Sequence, residues 1–235
     1  MTETIFISGA GKGLGFALSS RFLHAGFRVF AGEYQASSDL ATLSKEFPAT
    51  LTVIPLDVSE MDSIREAVKH VLQQVPALDI LLNNAGIHIE KEGRTLEELD
   101  FTNQHLEQTM AVNAFGPLRM VQQFHPLLRE GGRKLILNIS SEAGSITNCR
   151  REKEFAYCMS KSALNMGSKL MQNYLGRQGF KVLAIQPGWM RTDMGGPQAE
   201  ITPEHSAEGI FKLALKDWAP DDPIYLDYEG LPLPW

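Results

Sequence analysis

The sequence predicts an α/β protein: one doubly wound parallel sheet of about seven strands with helices on both faces. Three observations carry this expectation. Short apolar runs alternate with helical patterns along the chain. The runs are nearly continuous in apolar residues, as strands buried on both faces must be. A glycine-rich turn separates the first run from the first helical pattern. The 235 residues, 43% hydrophobic and 21% charged, suit a single unit spanning 1–235 around one core. No linker, repeat or low-complexity stretch interrupts the pattern.

The strand runs are residues 4–8, 28–31, 52–56, 79–83, 134–138 and 182–185, with a seventh at 224–226. Each is short and rich in Ile, Leu, Val and Phe. Between them, residues 14–25, 61–75, 105–129, 156–175 and 204–217 carry apolar residues at three- and four-residue spacing, and Gly26, Pro76, Gly131 and Gly176 supply stops. Two irregular segments remain, 87–103, which is charged and polar, and 191–203, which is rich in Gly, Pro and Thr; both are expected to be loops bordering a substrate. Right-handed crossovers place the ligand crevice outside the carboxyl ends of the strands, where Gly9, Asp57, Asn84, Ser141 and Gly188 all fall.

A net charge of −6 and the lack of a sustained Lys/Arg stripe argue against a nucleic-acid partner. The two cysteines, Cys149 and Cys158, have neither Cys-x-x-Cys spacing nor a nearby histidine, so no disulfide framework and no metal site is expected. No apolar run reaches the length of a membrane span, and residues 1–8 lack the pattern of a secretory leader; a soluble, cytoplasmic protein is expected.

In Gly9-x-x-x-Gly13-x-Gly15 the first glycine permits the tight turn after the strand, the second lets the backbone approach a pyrophosphate, and the third allows the helix to pack closely on the sheet. The helix N-terminus then faces the anion. Asp57 has two readings, a carboxylate near an adenine amino group or a local cap for the following helix. The amides of Asn83-Asn84-Ala85-Gly86 can bind backbone groups or a ribose, or can simply punctuate a loop. Glu33, ending the second strand, can bind a ribose 2′-hydroxyl and repel a 2′-phosphate. Lys12 can pair with such a phosphate or remain solvated. Since Tyr34 offers no guanidinium fork, NAD is favoured and NADP remains possible.

Tyr157 and Lys161 are an i, i+4 pair on one helical face, where the ammonium can sit beside the phenol and lower its pKa from about 10. That makes the tyrosine usable as an acid or base. Ser141, in Asn138-Ile139-Ser140-Ser141, lies just upstream.

Taken together these segments, with Asp57-Val58, Asn113 in Val112-Asn113-Ala114-Phe115-Gly116-Pro117, and Pro187-Gly188 followed by Thr192, resemble the short-chain dehydrogenase/reductase family from end to end. The stretches 157–166 and 187–196 are most similar to its C-factor-like and sniffer-type carbonyl reductase branch. The resemblance implies a Rossmann-type fold and an NAD(P)-dependent oxidoreductase acting on a small carbonyl or secondary alcohol. It implies a catalytic set of Asn113, Ser141, Tyr157 and Lys161, with Asn113 holding a water; a local backbone bond or kink is the other reading for that asparagine. It adds Leu14, Val58, Ala85, Gly86, Pro187, Gly188, Met190 and Thr192 to the cofactor contacts, and gives Lys161 a ribose contact. It also implies a homodimer or homotetramer, with small residues Ala163, Gly167 and Ser168 permitting close packing between helices of two copies.

Some features depart from the family or stand outside its motifs. The interval from Ser141 to Tyr157 is longer than is common, and residues 147–153, with Arg150, Arg151 and Lys153, are expected to shape the pocket rim. The 191–203 loop is short for a substrate lid. His88 is expected to be a solvated loop histidine. Trp189 and Met190 can wall the nicotinamide or pack in the core, and the apolar tail 231–235 either docks or frays. The competing function is a dinucleotide-binding signalling or redox-sensing protein with little turnover.

Overall fold

In the computed structural model, which describes residues 2–90, 95–100, 102 and 104–235, seven parallel strands form one sheet in the order β3-β2-β1-β4-β5-β6-β7. The strands are β1 (Thr4–Ser8), β2 (Arg28–Glu33), β3 (Leu51–Pro55), β4 (Ile80–Asn83), β5 (Leu135–Ile139), β6 (Lys181–Gln186) and β7 (Tyr225–Asp227). The helices are α1 (Gly13–His24), α2 (Ser38–Glu46), α3 (Met61–Leu72), α4 (His105–Met110), α5 (Gly116–Glu130), α6 (Phe155–Leu175) and α7 (Pro203–Leu215).

Alternate strand residues feed two cores. Ile5, Ile7, Val29 and Ala31 pack under α1, α2 and α7, with Leu18, Phe22, Leu40 and Ile210. Phe6 and Phe30 face the other side, against Ile64 and Val71 of α3, Phe124 and Leu128 of α5, and Met171 of α6. The order reverses between β1 and β4, so the crevice at their carboxyl ends is the expected ligand cleft.

Two elements differ from the expectation. Helix α2 was not anticipated; it buries only Leu40 and Leu43, too sparse a stripe to show as a period, and it starts on Ser37, whose hydroxyl accepts from the Leu40 N–H. The continuous helix expected over 105–129 is interrupted: one wide π-type turn, Ala111–Phe115, joins α4 to α5. Within the irregular segment 87–103, residues 91–94, 101 and 103 lie outside the described residues. Among the described residues no helix is long and apolar enough to cross a membrane.

Candidate active site

The glycine turn leaves β1 with Gly9 at φ +66°, and a side chain there would lie 2.8 Å from the Ala85 Cα. Gly15 is more restricted: a Cβ would stand 2.1 Å from the Gly9 carbonyl oxygen. Asn84 braces this contact, its Nδ2 donating to the carbonyls of Ser8 and Gly9 at 3.0 Å each, while the Ser8 hydroxyl accepts from the Asn84 and Ala85 N–H groups at 3.1 Å. The Asn84 side-chain nitrogen is thus spent on backbone. Leu14 turns its side chain into the core, leaving only its backbone for a ligand. Helix α1 opens without a side-chain cap and with no acidic residue in its first turn. An uncapped positive helix end above a glycine turn fits a pyrophosphate.

At the ribose end, the Glu33 carboxylate accepts from the Ser37 N–H at 3.0 Å. Lys12 is not merely solvated: its Nζ lies 2.7 Å from Asp193 Oδ2 on the loop after β6, an exposed pair. Asp57 Oδ1 accepts from the N–H and hydroxyl of Ser59, so this oxygen takes the local capping role. Val58 is buried against Gly116. After β6, the Pro187 carbonyl accepts from Ser206, the Thr192 hydroxyl accepts from the Gly195 N–H, and Met190 bridges to Ile201. Trp189 stays half-exposed, its indole N–H on the Gly195 carbonyl.

Across the cleft, Ser141 follows β5 and Tyr157 and Lys161 lie on α6. The Ser141 hydroxyl accepts from the Ala143 N–H at 3.1 Å, and its interaction with the Tyr157 phenol acts to lower that group's pKa. Ser140 is turned away, donating to Asn165 at 2.6 Å. Lys161 is 5% exposed and donates to the Ile139 carbonyl at 2.9 Å. Burial pushes its pKa down to about 8. Here the sequence expectation is corrected. The Tyr157 phenol lies above, not below, its ordinary value, because burial outweighs its bond to Ser141 and the Arg151 charge. Lys161 does not offset that burial while its ammonium is bound to Ile139.

Asn113, buried in the wide turn, joins two segments with its side chain: Oδ1 accepts from the Ile87 N–H at 2.8 Å, and Nδ2 donates to the Ile87 carbonyl and the Ser160 hydroxyl at 2.8 and 3.0 Å. The backbone-bond reading therefore accounts for the amide, with a partner distant in sequence. Gly86 lies beside it, where a Cβ would be 3.5 Å from Asn113 Oδ1 and 3.7 Å from Lys161 Nζ.

His88, Glu90 and Tyr225 were not anticipated at this site, whereas Arg151 was expected at the pocket rim and docking was one of the two readings of the tail. His88 is not a solvated loop residue: its ring stacks on Tyr157, and its side chain is 11% exposed. Glu90, buried, accepts from the Ala156 N–H at 2.8 Å at the start of α6. Arg151, in the long 141–157 interval, pairs with Glu142 and Glu154. The Tyr225 phenol donates to the Ser141 carbonyl at 2.7 Å, and Trp235 stacks on Tyr225 while its carbonyl accepts from the Thr147 N–H, so the tail docks on its own chain.

A parallel sheet in this strand order, with a glycine turn opening its first crossover, defines a Rossmann-type nucleotide-binding fold. The family model for short chain dehydrogenases matches residues 3–202, and the chain belongs to that family of NAD(P)-dependent oxidoreductases. It is 33% identical to the C-signal protein of Myxococcus xanthus over 158 residues, covering 67% of this chain and 93% of that one. An uncharacterized oxidoreductase of Schizosaccharomyces pombe is 30% identical, with 98% of this chain and 97% of that one covered. Among solved structures, the carbonyl reductase Sniffer of D. melanogaster matches with a TM-score of 0.92 at 26% identity over the whole of both chains. The NADPH-bound carbonyl reductase from chicken fatty liver matches at 0.90 and 28% identity, covering 100% of this chain and 99% of that one.

Proposed function

We propose that the protein interconverts a small carbonyl compound and its alcohol, with Tyr157 moving the proton at the substrate oxygen. The observation that carries this reading is that Ser141, after β5, and Tyr157 and Lys161, on α6, gather at the carboxyl ends of the strands, where the uncapped start of α1 also lies. A bound nicotinamide dinucleotide supplies or accepts the hydride. Ser141 already accepts from Ala143, which leaves its own proton for an oxygen gaining negative charge. Tyr157 gives or takes the substrate proton. Lys161 holds a buried cation next to the opening at Gly86, where a ribose hydroxyl can reach it. Because the Asn113 amide is committed to Ile87 and Ser160, its side chain braces the segment beside Lys161.

NAD is the preferred cofactor in this reading. Glu33 stands at the end of β2 with its carboxylate fixed by Ser37, and Lys12 is paired with Asp193. Similarity alone does not favour NAD, since one of the matching carbonyl reductases is NADPH-bound. The unpaired cysteines suit the cytoplasm. The homodimer expectation gains support from an exposed apolar stripe on α6, Met159, Met166, Leu170 and Tyr174. The packing reason changes: Ser168 is buried on Asn138 and Gly167 packs on Leu118 of the same chain.

The test is Tyr157→Phe, assayed with ketones, aldehydes and quinones. It should bind dinucleotide normally and lose roughly 100-fold or more in turnover. Near-normal turnover sinks the mechanism. The C-signal likeness gives the signalling alternative its support, and a wild-type protein that binds dinucleotide but reduces nothing in the panel would favour it.

A further inference from the structure

The segment 87–90 is fixed at three points, one in the wide turn Ala111–Phe115 and two on helix α6. Ile87 is bonded through both backbone groups to Asn113, and Glu90 holds the first N–H groups of α6, Ala156 at 2.8 Å and Tyr157 at 3.4 Å. Between them His88 lies on the face of the Tyr157 ring, centroids 4.3 Å apart and planes 27° from parallel. Its Nε2 is 3.2 Å from Glu154 Oε1. Glu154 holds a left-handed conformation, φ 63°, immediately before α6, and Arg151 ties it to Glu142, the neighbour of Ser141. The imidazole thus lies on the Tyr157 ring and is linked through Glu154 and Arg151 to Glu142, the residue after Ser141.

We infer that His88 is a positioning residue for Tyr157: its stacked ring fixes the plane of the phenol toward Ser141 and closes one face of it to water, and Glu154 holds the imidazole in that place. The inference rests on the proposed role of Tyr157. An aromatic ring on a loop that is itself anchored at Ile87 and Glu90 loses little freedom in making the stack, so the geometry is pre-organised before substrate arrives. Burial is the largest influence on the phenol, and His88 is part of what buries it. The other groups facing or influencing the phenol are Ser141, Lys161, Arg151, Glu142 and Cys158.

The experiment compares wild type, His88→Ala, His88→Phe, Glu154→Gln and Tyr157→Phe. It has two readouts: ultraviolet titration of the Tyr157 phenol, taken as the difference from Tyr157→Phe, and steady-state reduction of whichever panel carbonyl the wild type accepts. His88→Ala should move the phenol titration down toward the ordinary tyrosine value and lower kcat by about 2- to 12-fold, the range of an aromatic pair, with cofactor KM unchanged. His88→Phe, which keeps a ring in place, should restore most of both, and Glu154→Gln should fall between. An unchanged titration or unchanged kcat in His88→Ala, or a His88→Phe no better than alanine, overturns the inference. If Tyr157→Phe remains active while His88→Ala still shifts the phenol, the role of Tyr157 fails and the stack itself stands.

Discussion

Replacing Lys161 with methionine should make the cofactor-free protein more stable while abolishing its chemistry. The ammonium is buried, and its pKa is pushed down from 10.5 to about 8. At pH 7 both folded and unfolded chains carry the proton, so the folded state bears the penalty for it; at about 1.4 kcal/mol per pH unit between the two values, that is roughly 3 kcal/mol. Methionine removes the charge with little change of volume but leaves the Ile139 carbonyl without its donor at a cost of about 1–2 kcal/mol, so the net gain is about 1–2 kcal/mol. The sign with pH follows from proton counting. Between about 8 and 10.5 the unfolded lysine holds its proton and the folded one does not, so the Lys161 contribution to wild-type stability rises with pH in that window and is absent from the variant. Cys158, raised to about 11, and Tyr157, also raised, act in the opposite direction at high pH, but both proteins contain them and the difference isolates Lys161. Urea unfolding at pH 7 and pH 10 measures it. A variant less stable than wild type at pH 7, with the same change between the two pH values, refutes the reasoning.

Glu33→Ala should improve NADP relative to NAD in titrations of both dinucleotides, by removing a carboxylate that repels a 2′-phosphate; a wild type that binds NADP at least tenfold more tightly than NAD reverses the assignment and makes Lys12 the deciding residue. Leu170→Glu, on the exposed stripe of α6, should shift the protein to a monomer in light scattering, and a wild type of monomer mass at all concentrations removes the premise. Gly15→Ala should cost on the order of 3 kcal/mol or prevent folding, since its methyl would meet the Gly9 carbonyl at 2.1 Å and Asn84 Nδ2 at 2.6 Å; a thermal midpoint within a few degrees of wild type contradicts the close packing of turn and helix.

The sheet was legible because strands buried on both faces are nearly continuous in apolar residues, as at 5–7 and 135–137, and are bounded by turn residues. Helices were legible in proportion to the core they cover. Helix α3, which buries Ile64, Ala67 and Val71, showed its period, whereas α2, with two buried leucines, did not. The wide turn at Ala111–Phe115 was hidden because it adds a residue without breaking the helical path. Tyr157 and Lys161 announce themselves through local spacing. Their supports do not: Glu90 meets Ala156 across 66 positions and Tyr225 meets Ser141 across 84, contacts that only tertiary packing creates. His88 was misread for the same reason, since nothing in its neighbourhood along the chain signals that a ring from α6 will cover it.

These two kinds of residue meet in the protonation of the site, and their balance bears on direction. With its ammonium bound to the Ile139 carbonyl, Lys161 leaves the phenol to its buried surroundings, and the phenol keeps its proton through neutral pH. Carbonyl reduction needs that form, because the substrate oxygen must receive a proton as hydride arrives at carbon. Alcohol oxidation needs the phenolate, whose formation here costs more than in an exposed tyrosine until a cation moves toward the oxygen. Under the proposed role of Tyr157, the arrangement of Ser141, Tyr157 and His88 in the cofactor-free protein therefore holds the proton that the reductive step uses, and forming the phenolate calls for a cation nearer the oxygen than Lys161 stands while bound to Ile139.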